Sequence, residues 1–130
     1  MEKIALVTGG GRGIGRGIVR QLAADGCAVA VNYNRSQEAA LALVEELQRQ
    51  GHTAMAIQAD VSQGDQVQAA VAQVERALGP ISILVNNAGI AQQDLFQDTS
   101  EALWHRLFAV NVDGPYHTIQ AVLQIGRAHV

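Results

Sequence analysis

Apolar residues along this chain follow two alternating rhythms. Short unbroken runs, Ile4-Ala5-Leu6-Val7 and Ala28-Val29-Ala30-Val31 among them, have the length and β-branched character of strands buried on both faces. Between such runs the apolar positions recur every three or four residues. Ile14/Ile18/Leu22, Ala40/Leu43/Val44/Leu47 and Val67/Val71/Val74/Leu78 each make one helical stripe. This predicts strands near 3–8, 28–33, 53–58 and 81–86, with helices between them. Ser36 and Ser62 stand where N-caps belong, and Gly26, Gly51 and Gly79 stand just past the helix ends. A fourth helix is expected after Thr99-Ser100, carrying Leu103, Leu107, Phe108 and Val110.

Strands alternating with helices predict an α/β fold, a Rossmann-type doubly wound parallel sheet truncated after the fourth strand and its following helix. Right-handed crossovers give the strand order 3-2-1-4 and put a ligand at the carboxyl ends of strands 1 and 4. The chemistry concentrates after the first strand, where Thr8 to Gly15 reads Thr-Gly-Gly-Gly-Arg-Gly-Ile-Gly. Strand, glycine turn and helix together form a phosphate cradle: glycine lets backbone N–H groups approach a pyrophosphate seated on the positive end of the helix. A P-loop would need Lys-Ser or Lys-Thr after Gly15, but Arg16-Gly17 follow. The ordinary Gly-x-Gly-x-x-Gly spacing from Gly11 ends on Arg16 and also fails. The spacing present is Thr8-Gly9-x-x-x-Gly13-x-Gly15. A glycine turn with no ligand is the competing reading.

With 130 residues, 48% of them hydrophobic, the chain is one domain with material for a core. A formal charge of −3 without a basic cluster argues against a nucleic-acid partner, and no apolar run approaches membrane-spanning length. Met1-Glu2-Lys3-Ile4 leads directly into a strand, leaving no room for a signal peptide, and Cys27 is the single cysteine. A cytoplasmic protein is expected. His52, His105, His117 and His129 lack metal-ligand spacing, so no metal is expected.

Three further motifs follow in order: Asp60-Val61 after the third strand, Asn86-Asn87-Ala88-Gly89 after the fourth, and Asn111-Val112-Asp113-Gly114 in the last helix. Together with the glycine turn they resemble the short-chain dehydrogenase/reductase family, classical type, over residues 1 to about 124. The resemblance implies an NAD(P)-dependent oxidoreductase acting on CH-OH donors, with a small-molecule or carrier-bound carbonyl as substrate. It implies cofactor binding by Thr8, Gly9, Arg12, Gly13, Ile14, Gly15, Asn34, Arg35, Ser36, Asp60, Val61, Asn87, Ala88 and Gly89. In the family, Asp60 would bond the adenine amino group, and Asn111 would be one of four catalytic residues. Within the family the chain resembles the bacterial 3-oxoacyl-acyl-carrier-protein reductases of fatty acid biosynthesis. Its stretches Val31 to Ser36 and Ile90 to Phe96 also look like the elongation factor P 5-aminopentanone reductases. Related reductases are commonly homotetramers built through this last helix and its successor.

The residues themselves speak to cofactor choice. An NAD site needs a carboxylate at the end of the second strand, and Asn32-Tyr33-Asn34-Arg35-Ser36 has none. Arg12 and Arg35 are placed to bracket a 2′-phosphate instead, which favours NADP(H) over NAD(H). Solvated loop charges are the alternative reading of the two arginines.

In the family, the helix bearing Asn111 is kinked there. Pro115 lacks the N–H that would bond the carbonyl of residue 111, so a bend at Asn111 is expected, against the alternative that Gly114-Pro115 simply ends the helix. The family's chemistry also requires a Ser and a Tyr-x-x-x-Lys. Tyr33 and Tyr116 are followed four residues on by Gln37 and Gln120, and the only lysine is Lys3. Residues 1–124 are therefore expected to be the N-terminal part of an NAD(P)-binding Rossmann domain, catalytically inactive alone. Residues 125–130, Ile-Gly-Arg-Ala-His-Val, match one reading frame of a common sequencing adapter and are expected to be a non-native tail. A non-catalytic dinucleotide-binding module is the rival reading.

Overall fold

The computed structural model describes residues 2–89 and 99–127. The stretch 90–96 and residues 128–130 of the tail lie outside the described residues. Four strands, β1 (Ile4–Val7), β2 (Ala28–Tyr33), β3 (Ala54–Gln58) and β4 (Ile83–Val85), form one parallel sheet in the order β3-β2-β1-β4. This is the expected order, and each strand lies within its predicted stretch. The helices are α1 (Gly13–Ala24), α2 (Gln37–Arg49), α3 (Gly64–Leu78), α4 (Glu101–Phe108) and α5 (Gly114–Arg127).

Alternation along the strands divides the core in two. Ile4, Leu6, Ala28 and Ala30 point to one face and pack with Val67, Val71 and Val74 of α3 and Ala121 of α5. Ala5, Val7, Val29 and Val31 point to the other, where Val19 and Ala23 of α1 and Leu43 and Leu47 of α2 cover them. A parallel sheet is stable only with both faces covered, and this one has both. Cys27 is buried and free, as its small apolar role requires.

The helix ends bear out one expected N-cap position and correct the other. Gly26, Gly51 and Gly79 do follow the helices, with φ of 94°, 88° and 116°. Ser36 occupies the N-cap of α2 without a side-chain capping bond, and the N-cap of α3 is Gln63, not Ser62. The Ser62 hydroxyl is taken by Asp60 two residues earlier, donating to its Oδ1 at 2.7 Å. α4 begins after Ser100 as expected, and Ser100 caps it, its hydroxyl accepting from Leu103 N at 3.0 Å. Leu103 and Leu107 are half-buried, whereas Phe108 is exposed.

Between α4 and α5 the chain does not stop at Gly114-Pro115. It passes through a π-helical turn, Ala109–Asp113, and continues into α5. The alternative of a helix ended by Pro115 is therefore corrected. The missing N–H of proline is accommodated by the wider i→i+5 turn just before it, so helical backbone runs on both sides.

Candidate functional site

The segments leaving the four strands open onto one cleft of about 480 Å³, a size suited to a small organic ligand. One wall is the turn before α1, with Gly9, Gly11, Arg12 and Gly13. Gly9 and Gly13 have φ of 61° and 56°, a conformation that L side chains rarely adopt. A methyl group at Gly15 would overlap Asn87 Nδ2 and lie 2.5 Å from the Gly9 carbonyl oxygen. The turn is thus compact because three of its positions disfavour any side chain, and it delivers the N-terminus of α1 to the cleft. That end carries unpaired N–H groups and a partial positive charge, the chemistry that receives phosphate.

Buried polar side chains hold this turn against the sheet. Thr8 is 2% exposed; its hydroxyl accepts from Asn87 N at 3.0 Å and Ala88 N at 2.9 Å, so it fixes the loop after β4. Asn87 Nδ2 donates to Gly9 O at 3.0 Å in return. Asn32, also buried, accepts from Gly9 N through Oδ1 at 3.3 Å and donates through Nδ2 to Ile57 O and Ala59 O at 3.3 and 3.2 Å. One carboxamide therefore links the glycine turn, β2 and the end of β3.

A second wall follows β2, where Asn34, Arg35 and Ser36 line the cleft with Arg35 exposed to it. Arg12 faces the same space from the glycine turn. Among the lining residues of this wall there is no Asp or Glu, and Arg12 and Arg35 are its two cationic residues.

The third wall combines Ala59, Asp60 and Val61 with Ala88, Gly89, Arg106 and Val110. Asp60 Oδ1 accepts from Ser62 N at 3.0 Å as well as from the Ser62 hydroxyl, and Oδ2 faces Arg106 Nη1 at 3.5 Å. Arg106 Nη1 also donates to Ser62 Oγ at 3.2 Å. Burial alone would push the Asp60 carboxyl up, but the Ser62 donors and the Arg106 charge together hold it below the usual carboxylate range.

Most of the expected site residues meet at this cleft: Gly9, Arg12, Gly13, Asn34, Arg35, Ser36, Asp60, Val61, Asn87, Ala88 and Gly89 all line it. Four do not. Thr8 and Gly15 lie beneath the turn, where they shape it. Ile14 is 80% exposed and outside the cleft lining. Asn111 sits in the π turn, close enough to Gly89 that a methyl group there would lie 3.2 Å from Asn111 Oδ1. Gly114 lets the same helix approach β3's end, since a methyl group would stand 2.8 Å from Val61 Cγ2. His117 Nδ1 reaches Val61 O at 2.8 Å, a contact that requires the proton on Nδ1.

Sequence reasoning missed Asn32, Arg106 and Thr118. Thr118 donates to Asn86 Oδ1 at 2.6 Å, bracing the loop after β4 from α5. A signal existed only for Arg106, which precedes the core residue Val110 by four positions and so shares its helix face.

Comparison with known proteins places this geometry. The family model described as short chain dehydrogenase matches residues 3–128. The chain is 44% identical over 122 residues to the 3-oxoacyl-acyl-carrier-protein reductase FabG of Staphylococcus epidermidis, covering 94% of this chain and 50% of that protein. Among solved structures, a blue fluorescent protein from a metagenomic library in complex with NADPH superposes with a TM-score of 0.88 at 44% identity, covering 94% of this chain and 50% of the other. A gluconate 5-dehydrogenase from Burkholderia cenocepacia in complex with NADP and tartrate gives 0.86 at 38% identity, covering 95% and 49%. The chain spans about half the length of the curated relatives it matches. Among the described residues no group of three or more His, Cys, Asp or Glu could hold a metal ion, and no helix is long and apolar enough to cross a membrane.

Proposed function

The chain belongs to the short-chain dehydrogenase family, a family of oxidoreductases, and we propose that it is the dinucleotide-binding half of an NADP(H)-dependent carbonyl reductase. The observation that carries the reading is the cleft itself. A glycine turn delivers a helix N-terminus to one wall, Arg12 and Arg35 face it from two sides, and no carboxylate follows β2. Gly9, Gly13 and the start of α1 would receive the pyrophosphate. Arg12, Arg35, Asn34 and Ser36 would hold the 2′-phosphate, and Asp60, Val61, Ala88 and Val110 would frame the base. When bound, NADPH supplies the hydride for reduction of a carbonyl to a hydroxyl.

Asn111 is the catalytic residue this chain contributes, a role consistent with its position in the π turn beside Gly89. The proposed substrate is a carrier-bound 3-oxoacyl group, on the strength of the FabG relatives. In this reading the working protein is a cytoplasmic homotetramer. Helix pairing has support in an exposed apolar stripe, Trp104, Phe108, Val112, Tyr116, Ile119 and Leu123. The spacing of three and four residues puts them along one side of the α4–α5 rod.

Titration of the 130-residue chain with NADPH and NADH tests the cofactor assignment. NADPH is expected to bind more tightly. Arg35→Ala should cost about 1–3 kcal/mol for NADPH and leave NADH unchanged. Equal affinities for the two cofactors, or equal losses on substitution, refute the phosphate reading. The chain alone is expected to give no carbonyl-dependent oxidation of NADPH, because its sequence contains no Tyr-x-x-x-Lys.

A further inference from the structure

Next to the second wall of the cleft, a side chain of β3 reaches across to the segment after β2. Gln58 is the last residue of β3 and lies opposite Tyr33 in the sheet register. Alternation puts it on the same face as Ala54 and Ala56, which belong to the core beneath α2, but one step past that core, where it is exposed. Its side chain is nevertheless engaged twice: Nε2 donates to the Asn34 carbonyl oxygen at 3.4 Å and to Asn34 Oδ1 at 3.3 Å. A backbone carbonyl only accepts, so the first contact requires Gln58 to present the nitrogen of its amide. That nitrogen in turn requires the Asn34 carboxamide to present its oxygen. Asn34 Nδ2 keeps both of its N–H groups, with no partner among the described residues. Asn34 lines the cleft, and among the described residues no side chain other than Gln58 bonds its carboxamide.

We propose that Gln58 is a positioning residue for cofactor choice, an inference that rests on the NADP(H) reading above: by taking up Asn34 Oδ1, it keeps the Asn34 N–H groups as donors to the cleft and so favours a ribose carrying a 2′-phosphate. The phosphate is an anionic acceptor, which gains from Nδ2 and is repelled by the lone pairs of Oδ1. A 2′-hydroxyl both donates and accepts, so it fits either end of the carboxamide. The orientation that Gln58 imposes therefore matters to NADPH and is indifferent to NADH. Arg12 and Arg35 are donors at every point of their guanidinium groups, whereas a carboxamide has one end of each kind and needs a neighbour to set it.

The test titrates NADPH and NADH into the unaltered chain, into Gln58→Ala and Gln58→Met, and into Asn34→Ala alone and combined with Gln58→Ala. Gln58→Met keeps the length of the side chain and removes the donor. The unaltered chain should prefer NADPH. Each Gln58 variant should lose about threefold to tenfold in NADPH affinity and stay within about twofold of the unaltered chain for NADH. In the Asn34→Ala background, Gln58→Ala should have no further effect on NADPH, because its influence passes through the Asn34 carboxamide. If Gln58→Ala does not melt cooperatively, Gln58→Met takes its place in the cycle. A ratio of affinities left unchanged by the Gln58 variants, an equal fall for both cofactors, or losses that simply add in the double variant overturn the inference while leaving the cofactor assignment standing. An unaltered chain that binds the two cofactors equally, or neither of them, overturns both.

Discussion

The two ends of the cleft are built from different materials. The end proposed to receive phosphate is made of backbone: positive-φ glycines, a helix start, and a position where even one methyl group collides with Asn87. The end proposed to frame the base is made of side chains, with Asp60, Ser62 and Arg106 joined across 46 residues of sequence. Backbone geometry is rigid and indifferent to which nucleotide is bound, because every dinucleotide has a pyrophosphate. Side chains can be exchanged without moving the chain, so selectivity belongs there. Damage at the first end should abolish binding generally, and damage at the second should change what is preferred.

Gly15→Ala probes the contrast most severely. The new methyl group has to displace Asn87 or the Gly9 carbonyl, and a destabilisation of about 3 kcal/mol or more is expected, with NADPH and NADH binding lost together. Urea denaturation and titration of both cofactors would measure it; an unshifted midpoint would mean that the turn yields. Next comes Asn32→Leu, which keeps the volume but strips partners from Gly9 N, Ile57 O and Ala59 O. A loss of about 2–4 kcal/mol is expected, and a change under 1 kcal/mol would remove Asn32 from the account.

Thr8→Val should cost about 1–2 kcal/mol, since Asn87 N and Ala88 N lose their acceptor while the packing shape is kept. Thr8→Ser should recover most of that stability in the same melt. The gentlest probe lies at the base end. Because the folded Asp60 carboxyl is held below its ordinary range, it contributes stability above the unfolded carboxylate pKa, and that contribution is lost as pH falls through the folded value. Partial exposure keeps the effect below about 1 kcal/mol. Asp60→Asn should therefore flatten the fall in stability between about pH 5 and pH 3 slightly, and an identical slope in the two proteins would deny the coupling.

The same division decides what could be read from the sequence. Strand order and the glycine turn were legible because both are local or periodic: apolar runs encode burial, and Gly9, Gly13 and Gly15 encode backbone shape at fixed spacing. That Arg12 and Arg35 line the cleft was legible because both lie in segments that leave the carboxyl ends of strands. Asn32 was not, since its role depends on carbonyls 25 and 27 residues away that no pattern connects to it. Ser62 was misread as a cap because its offset from α3 imitates one, while Asp60 competes for the hydroxyl at closer range. Pro115 announced a disturbance at Asn111, but proline is compatible with a break, a kink or a widened turn, and only the packing of Gly114 against Val61 distinguishes them.

The widened turn has a geometric consequence for the outer surface. Each residue of an α-helix advances about 100°, so the four-residue steps from Trp104 to Tyr116 would drift by roughly 120° around a regular helix. A π turn inserts one residue without its share of rotation and cuts that drift to roughly 20°. Ala109–Asp113 thus acts as a phase correction, bringing Asn111 beside Gly89 on one side while keeping Trp104, Phe108, Val112 and Tyr116 in a straight row on the other. Deleting a single residue there would relax the helix to regular winding and, because one residue fewer at about 100° each leaves the same drift of roughly 20°, keep the row in line while removing the widened turn that sets Asn111 beside Gly89.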